Sequence, residues 1–157
     1  MCFLYAFYFL VYSFLFLPQE RVQSLSVVQW SVSSKRMSVD EVILTFTAKV
    51  APGWHLYSQQ IDEGGPMPTR FSFVEASEYE LLGLLEEMGD GVSVRDETYE
   101  MAILWYSGSV KFVQRIRCST ARSTIKARVE YMTCDTRVCL PGHYTFIIDV
   151  PARVSNK

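Results

Sequence analysis

The chain has 157 residues, of which 49% are hydrophobic and 14% aromatic, and its formal net charge at pH 7 is −2. This composition excludes a disordered chain, and the length is sufficient for one domain with a substantial core. The 15 basic residues are scattered rather than clustered, so the sequence indicates no nucleic-acid-binding surface.

The first segment, residues 2–17, is apolar and contains no charged residue. Its length is short for a membrane span and typical of a signal-peptide core, and Val22 and Ser24 suit a cleavage site after Ser24. We predict a signal peptide at 1–24, with an uncleaved N-terminal anchor or a buried helix as alternatives. A signal peptide or an anchor would export the domain at 25–157 to a compartment in which disulfides form.

The exported region alternates between apolar and polar residues, as half-buried β-strands do. Alternation is clean at 41–50, 123–133 and 143–150, and looser at 26–33, 54–60, 71–76, 99–106 and 110–118. In the segment 143–150, the side chains of Tyr144, Phe146 and Ile148 are expected on the same face of the strand. The segment 79–88 suits a strand or a short helix, and Gly83 favours the strand. About seven to nine short strands predict an all-β fold, an immunoglobulin-like antiparallel β-sandwich.

Two cysteines, Cys134 and Cys139, are separated by four residues and stand between two of these predicted strands. We predict that these four residues, "DTRV", form a turn that brings the two sulfurs together. Their spacing leaves three interpretations open, namely a structural disulfide, a redox-active pair and a metal site. Closing a loop of about six residues stabilises a fold by only roughly 2 kcal/mol. A strained, exposed bridge across a turn is also readily reduced.

A metal site is the least favoured of the three, because further ligands are few. His143 forms a C-x3-H pair with Cys139, and His55 is the only other histidine in the sequence. This set is neither a common zinc spacing nor a blue-copper ligand set. We expect no metal, cofactor or small-molecule ligand, a solvent-facing His143, a core Trp54 and a buried, inert Cys118 thiol.

Three motifs occur in the order "PGWHLYS" (52–58), "RDETYEM" (95–101) and "YMTCDTRVCLPG" (131–142). In order and spacing they resemble the N-terminal periplasmic domain of the thiol:disulfide interchange protein DsbD, over roughly residues 26–150. The resemblance implies an immunoglobulin-like fold and a redox-active Cys134–Cys139 pair. It also implies a periplasmic domain that takes electrons from a membrane-embedded donor and passes them to substrate proteins.

The resemblance further implies a role for individual residues. Cys139 is then the attacking thiolate, and Cys134 is the resolving thiol. A cap loop shields the pair with an aromatic ring, for which Tyr99 is the nearest candidate. The residues of the cap loop are Asp96, Glu97, Thr98 and Tyr99.

The charges near the pair are mixed. Arg137 favours the thiolate, whereas Asp135, Asp96 and Glu97 oppose it, so the thiol is not expected to be strongly acidic. We therefore predict a thiol:disulfide oxidoreductase component. Its partners are thioredoxin-like redox proteins and a membrane-embedded electron donor supplied by another chain. The alternative is an exported immunoglobulin-like binding module whose disulfide is purely structural.

Overall fold

The structure, a computed structural model, describes residues 26–118, 123–150 and 152, so the predicted signal segment 1–24 lies outside it. The described residues contain ten β-strands and no helix. They are β1 (Val28–Arg36), β2 (Glu41–Val50), β3 (His55–Tyr57), β4 (Arg70–Phe73), β5 (Tyr79–Met88), β6 (Gly91–Asp96), β7 (Met101–Tyr106), β8 (Ser109–Cys118), β9 (Thr124–Cys134) and β10 (Cys139–Asp149). Accordingly, this part of the chain holds no helix of the length and apolarity that a membrane span requires.

The strands form two antiparallel sheets. One has the order β1-β2-β8-β5, and the other has the order β10-β9-β3-β7-β6, with β4 also pairing with β9. The inner faces of both sheets contribute to one hydrophobic core. This arrangement confirms the predicted immunoglobulin-like β-sandwich.

The core follows from the alternation in the sequence. On β2, Val42, Leu44, Phe46 and Ala48 are fully buried, and every second residue of β9 from Ile125 is buried as well. Aromatic rings fill the space between the sheets. The ring centroid of Phe46 lies 4.8 Å from that of Phe146 and 4.9 Å from that of Phe71, at angles typical of aromatic packing. Trp54 is partly buried and packs against this core.

The segment 79–88 is a strand, as Gly83 indicated. Gly83 has a φ of +70°, which a residue with a side chain rarely adopts, and the pairing of β5 with β8 shifts register between Leu82 and Glu86. The glycine therefore permits a β-bulge within the strand.

Two features differ from the predictions. The sequence did not predict β6, because its Val92 and Val94 alternate on an exposed surface instead of over the core. Tyr144 was expected on the buried face with Phe146 and Ile148, and this is wrong, since its side chain is 45% exposed. The residues of β10 before Phe146 include none that is buried, so the core covers only the second half of the strand.

Candidate functional site

The β9–β10 hairpin positions the two cysteines. Cys134 ends β9, Cys139 begins β10, and the two are directly opposite in the antiparallel pairing. They form a disulfide with their Cα atoms 4.1 Å apart. The predicted turn at 135–138 is confirmed, since the Asp135 N–H donates a hydrogen bond of 3.0 Å to the Val138 carbonyl.

The turn is also held by the side chain of Asp135. Its Oδ1 accepts hydrogen bonds from the backbone N–H groups of Arg137 and Val138, both at 2.7 Å. The bond from Val138, followed by that from Arg137, lowers the pKa of Asp135. An ionised Asp135 therefore stabilises the turn through hydrogen bonds that do not involve the disulfide.

The two sulfur-bearing residues differ in exposure. Cys134 is 2% exposed, whereas Cys139 is an exposed residue. Cys134 belongs to a small apolar group on the outer face of the sheet, which we call the outer cluster. Its buried members are Tyr57, Ile103 and Cys134, and Ile61, Met101, Trp105 and Met132 pack against them. Of the two cysteines, Cys139 is thus the more accessible to solvent, and Cys134 is shielded from it.

The cap loop predicted from the sequence is the turn of a hairpin formed by β6 and β7. Asp96 ends β6, and its Oδ1 accepts hydrogen bonds from the N–H groups of Thr98, at 2.8 Å, and Tyr99, at 3.2 Å. Glu100 completes the turn with a φ of +55°. The carboxylate of Asp96 therefore has a local structural role in shaping the turn.

A cleft of about 480 Å³ lies between this turn and the turn at 135–138, and both cysteines line it. Asp96, Thr98 and Tyr99 also line the cleft, but Glu97 does not. Tyr99 is 37% exposed, so its ring lies at the cleft without being sealed inside. The structure therefore brings three of the four predicted cap residues to the cysteines.

His55 was not predicted to belong to the site. It lies directly opposite Cys134 in the pairing of β3 with β9, and it lines the same cleft. Its carbonyl accepts a 2.7 Å hydrogen bond from Thr133 Oγ1, and its ring lies 4.6 Å from that of Trp105, centroid to centroid. Burial lowers the pKa of His55 below its usual value, an effect that the Asp135 carboxylate opposes in part.

Other residues considered from the sequence lie away from the cleft. His143 is exposed on β10, and Cys118 is fully buried at the end of β8, as expected. Among residues 26–118, 123–150 and 152, no cluster of three or more His, Cys, Asp or Glu side chains has the geometry to hold a metal ion.

The domain is thus an immunoglobulin-like sandwich with a disulfide across the end of one hairpin, in a cleft beside a second hairpin. The family model described as "Thiol:disulfide interchange protein DsbD, N-terminal" matches residues 21–151. The chain belongs to this family. No curated protein matches the sequence.

Two solved structures share the fold. One is the N-terminal periplasmic domain of ScsB from Proteus mirabilis, with a TM-score of 0.60 and 17% identity over 81% of this chain and 49% of that chain. The other is the DsbD N-terminal domain of Neisseria meningitidis in its reduced form, with a TM-score of 0.50 and 17% identity over 77% of this chain and 86% of that chain. The chain spans about half the length of the ScsB chain. At this identity the likeness supports the fold alone.

Proposed function

We propose that the domain is an exported, periplasmic thiol:disulfide interchange module that relays electrons to disulfide-bonded proteins through a reversible Cys134–Cys139 bond. The observation that carries this proposal is the unequal exposure of two bonded cysteines in an open cleft. Membership of the DsbD N-terminal family supports the same chemistry.

The proposed reaction begins with the reduced domain. The thiolate of Cys139 attacks a disulfide of the partner and forms a mixed disulfide, and one partner sulfur leaves as a thiolate. Cys134 then attacks the sulfur of Cys139, so that the intramolecular disulfide forms again and the second partner sulfur is released. Two electrons have passed from the domain to its partner.

The partners are proposed on the same basis. An exposed cysteine in a cleft of about 480 Å³ is accessible to a protein that presents its own reactive sulfur at its surface, as thioredoxin-like proteins do. Return to the reduced state requires an electron donor, which we propose is membrane-embedded. The mixed charges of Asp96, Asp135 and Arg137 around the cleft suggest selection by docking more than by an unusually acidic thiol.

A trapping experiment tests these roles. The probe is a thioredoxin-like domain with only its first active-site cysteine, activated as a mixed disulfide with thionitrobenzoate. The Cys134→Ser variant should form a stable covalent complex through Cys139 on a non-reducing gel, because no thiol remains to resolve it. The matched Cys139→Ser variant should form at least about tenfold less of this covalent complex, because Cys134 is shielded from solvent. Equal trapping by both variants would contradict the proposed roles.

A further inference from the structure

The resolving step places a chemical demand on Cys134. A thiol must lose its proton before it attacks, and burial in apolar surroundings raises the pKa of a thiol. Cys134 is 2% exposed and packs within the outer cluster, so bulk water has little access to its proton. Cys139 has no such difficulty, because it is exposed to solvent.

His55 is placed to meet this demand. In an antiparallel pair, residues directly opposite each other project to the same face with their Cβ atoms about 4.5–5.5 Å apart. His55 and Cys134 are such a pair, and both line the cleft. Contacts with the rings of Trp105 and Tyr57 hold the imidazole there.

The other titratable groups facing the cleft are poorer bases at neutral pH. They are Tyr57, Asp96, Tyr99, Asp135 and Arg137. Burial, followed by the charges of Tyr99 and Asp96, raises the pKa of Tyr57 and keeps its hydroxyl protonated. Aspartates are weak bases, and the pKa of Asp135 is lowered further by its backbone hydrogen bonds. The guanidinium of an arginine only donates hydrogen bonds. Apart from the two cysteines, His55 is the only described residue lining the cleft whose side chain has an ordinary pKa near neutrality.

We propose that His55 is the general base that deprotonates Cys134 in the resolving step of thiol:disulfide exchange. This inference rests on the proposed function. The neutral imidazole takes the Cys134 proton, and the resulting thiolate attacks the Cys139 sulfur. The Cys134–Cys139 bond forms while the bond from Cys139 to the partner breaks, and the electron pair leaves with the partner's sulfur. The imidazolium then returns the proton to that thiolate or to water.

The direction of the pH dependence follows from this role. Because burial lowers the pKa of His55, its imidazole is largely neutral at pH 7 and able to accept a proton. The resolving rate should therefore rise as pH increases through a pKa below 6.5 and level off near neutrality.

The probe for this step is Ellman's reagent, a small aromatic disulfide. Attack by Cys139 on the reagent releases one thionitrobenzoate, and attack by Cys134 on the resulting mixed disulfide releases a second. The second release is intramolecular and independent of reagent concentration. Its leaving group departs as a stable thiolate, so the rate reports deprotonation of Cys134.

The test compares His55→Gln with wild type by stopped-flow absorbance from pH 5 to 9. We expect the second release at pH 7 to slow about a hundredfold in His55→Gln, with the first release changed little. The matched control is His143→Gln, which alters the exposed histidine of β10 and should retain both rates. A slowing of the second release of less than about threefold in His55→Gln would overturn the proposal.

A second measurement uses the wild-type protein alone and does not depend on how the variant folds. The pKa of His55 in the reduced protein, measured by NMR, should match the apparent pKa of the second release. A rate that instead keeps rising to an apparent pKa above about 8, as for an unassisted thiol, would overturn the role of His55. Because Ellman's reagent replaces the partner, these results are separate from the trapping experiment, whose failure would reject the relay itself.

Discussion

Reduction of the Cys134–Cys139 bond should leave the domain folded. The bond joins residues five apart in sequence, and closing a loop of about six residues is worth about 2 kcal/mol. Without the bond, the hairpin retains its register from Cys139 opposite Cys134 to Asp149 opposite Thr124, as well as the Asp135 hydrogen bonds of the turn. For a domain of this size, that loss corresponds to a fall in Tm of at most about 10 °C.

The stability lost on reduction is small compared with the stability that the hydrophobic core provides. Phe46 and Phe146 are buried between the sheets, and each such side chain contributes about 1.5–3 kcal/mol. Since the core does not include the disulfide, the cooperative transition should survive reduction. A domain that cycles between two redox states must remain folded in both of them.

The assay is thermal unfolding followed by circular dichroism, with and without a reductant. The matched control is a Cys134→Ala/Cys139→Ala variant, whose Tm should not respond to the reductant. Loss of the cooperative transition on reduction, or a fall of more than about 20 °C, would refute this reasoning and favour a structural disulfide.

Two further predictions concern stability. Burial, followed by the charge of Glu87, raises the pKa of Tyr106 to about 12. The unfolded chain releases this proton near pH 10, so stability should fall as pH rises above about 10. Tyr106→Phe should reduce that fall in urea unfolding from pH 9 to 11.5, and an unchanged slope would contradict the assignment. A Cβ added at Gly142 would lie 2.5 Å from the Tyr131 ring, which packs against Trp30. Gly142→Ala should therefore cost about 1–3 kcal/mol in the free energy of unfolding, and a neutral effect would show that the ring moves aside freely.

Strands that cover the core were predictable because their burial is strictly periodic. On β2 the residues from Val42 to Val50 alternate between buried positions and partly or fully exposed ones, and the sequence alternates with them. The valines of β6 alternate equally well, but β6 is an exposed edge strand, and its end carries the polar "RDET". Tyr144 also fits the alternating pattern, with Phe146 and Ile148, but it is exposed because the first half of β10 extends beyond the core.

The candidate site, too, could be predicted only in part from the sequence. Cys134 and Cys139 are close in sequence, so a turn between two predicted strands was enough to bring them together. His55 lies opposite Cys134 only because β3 pairs with β9, and these two strands are far apart in the sequence. Pattern alone indicates that 54–60 is a strand, but not which strand is its neighbour. The "WH" of "PGWHLYS" was the available signal, and it acquires meaning only once β9 lies beside it.

The most direct test of the relay is the reduction potential of the Cys134–Cys139 pair. It is measured by equilibrating the protein with dithiol and glutathione buffers of known potential and quantifying free thiols after acid quenching. A reversible carrier should have a potential well above roughly −300 mV, within reach of thioredoxin-like proteins. A potential below about −300 mV would contradict the relay, since bonds that resistant to reduction are typically structural.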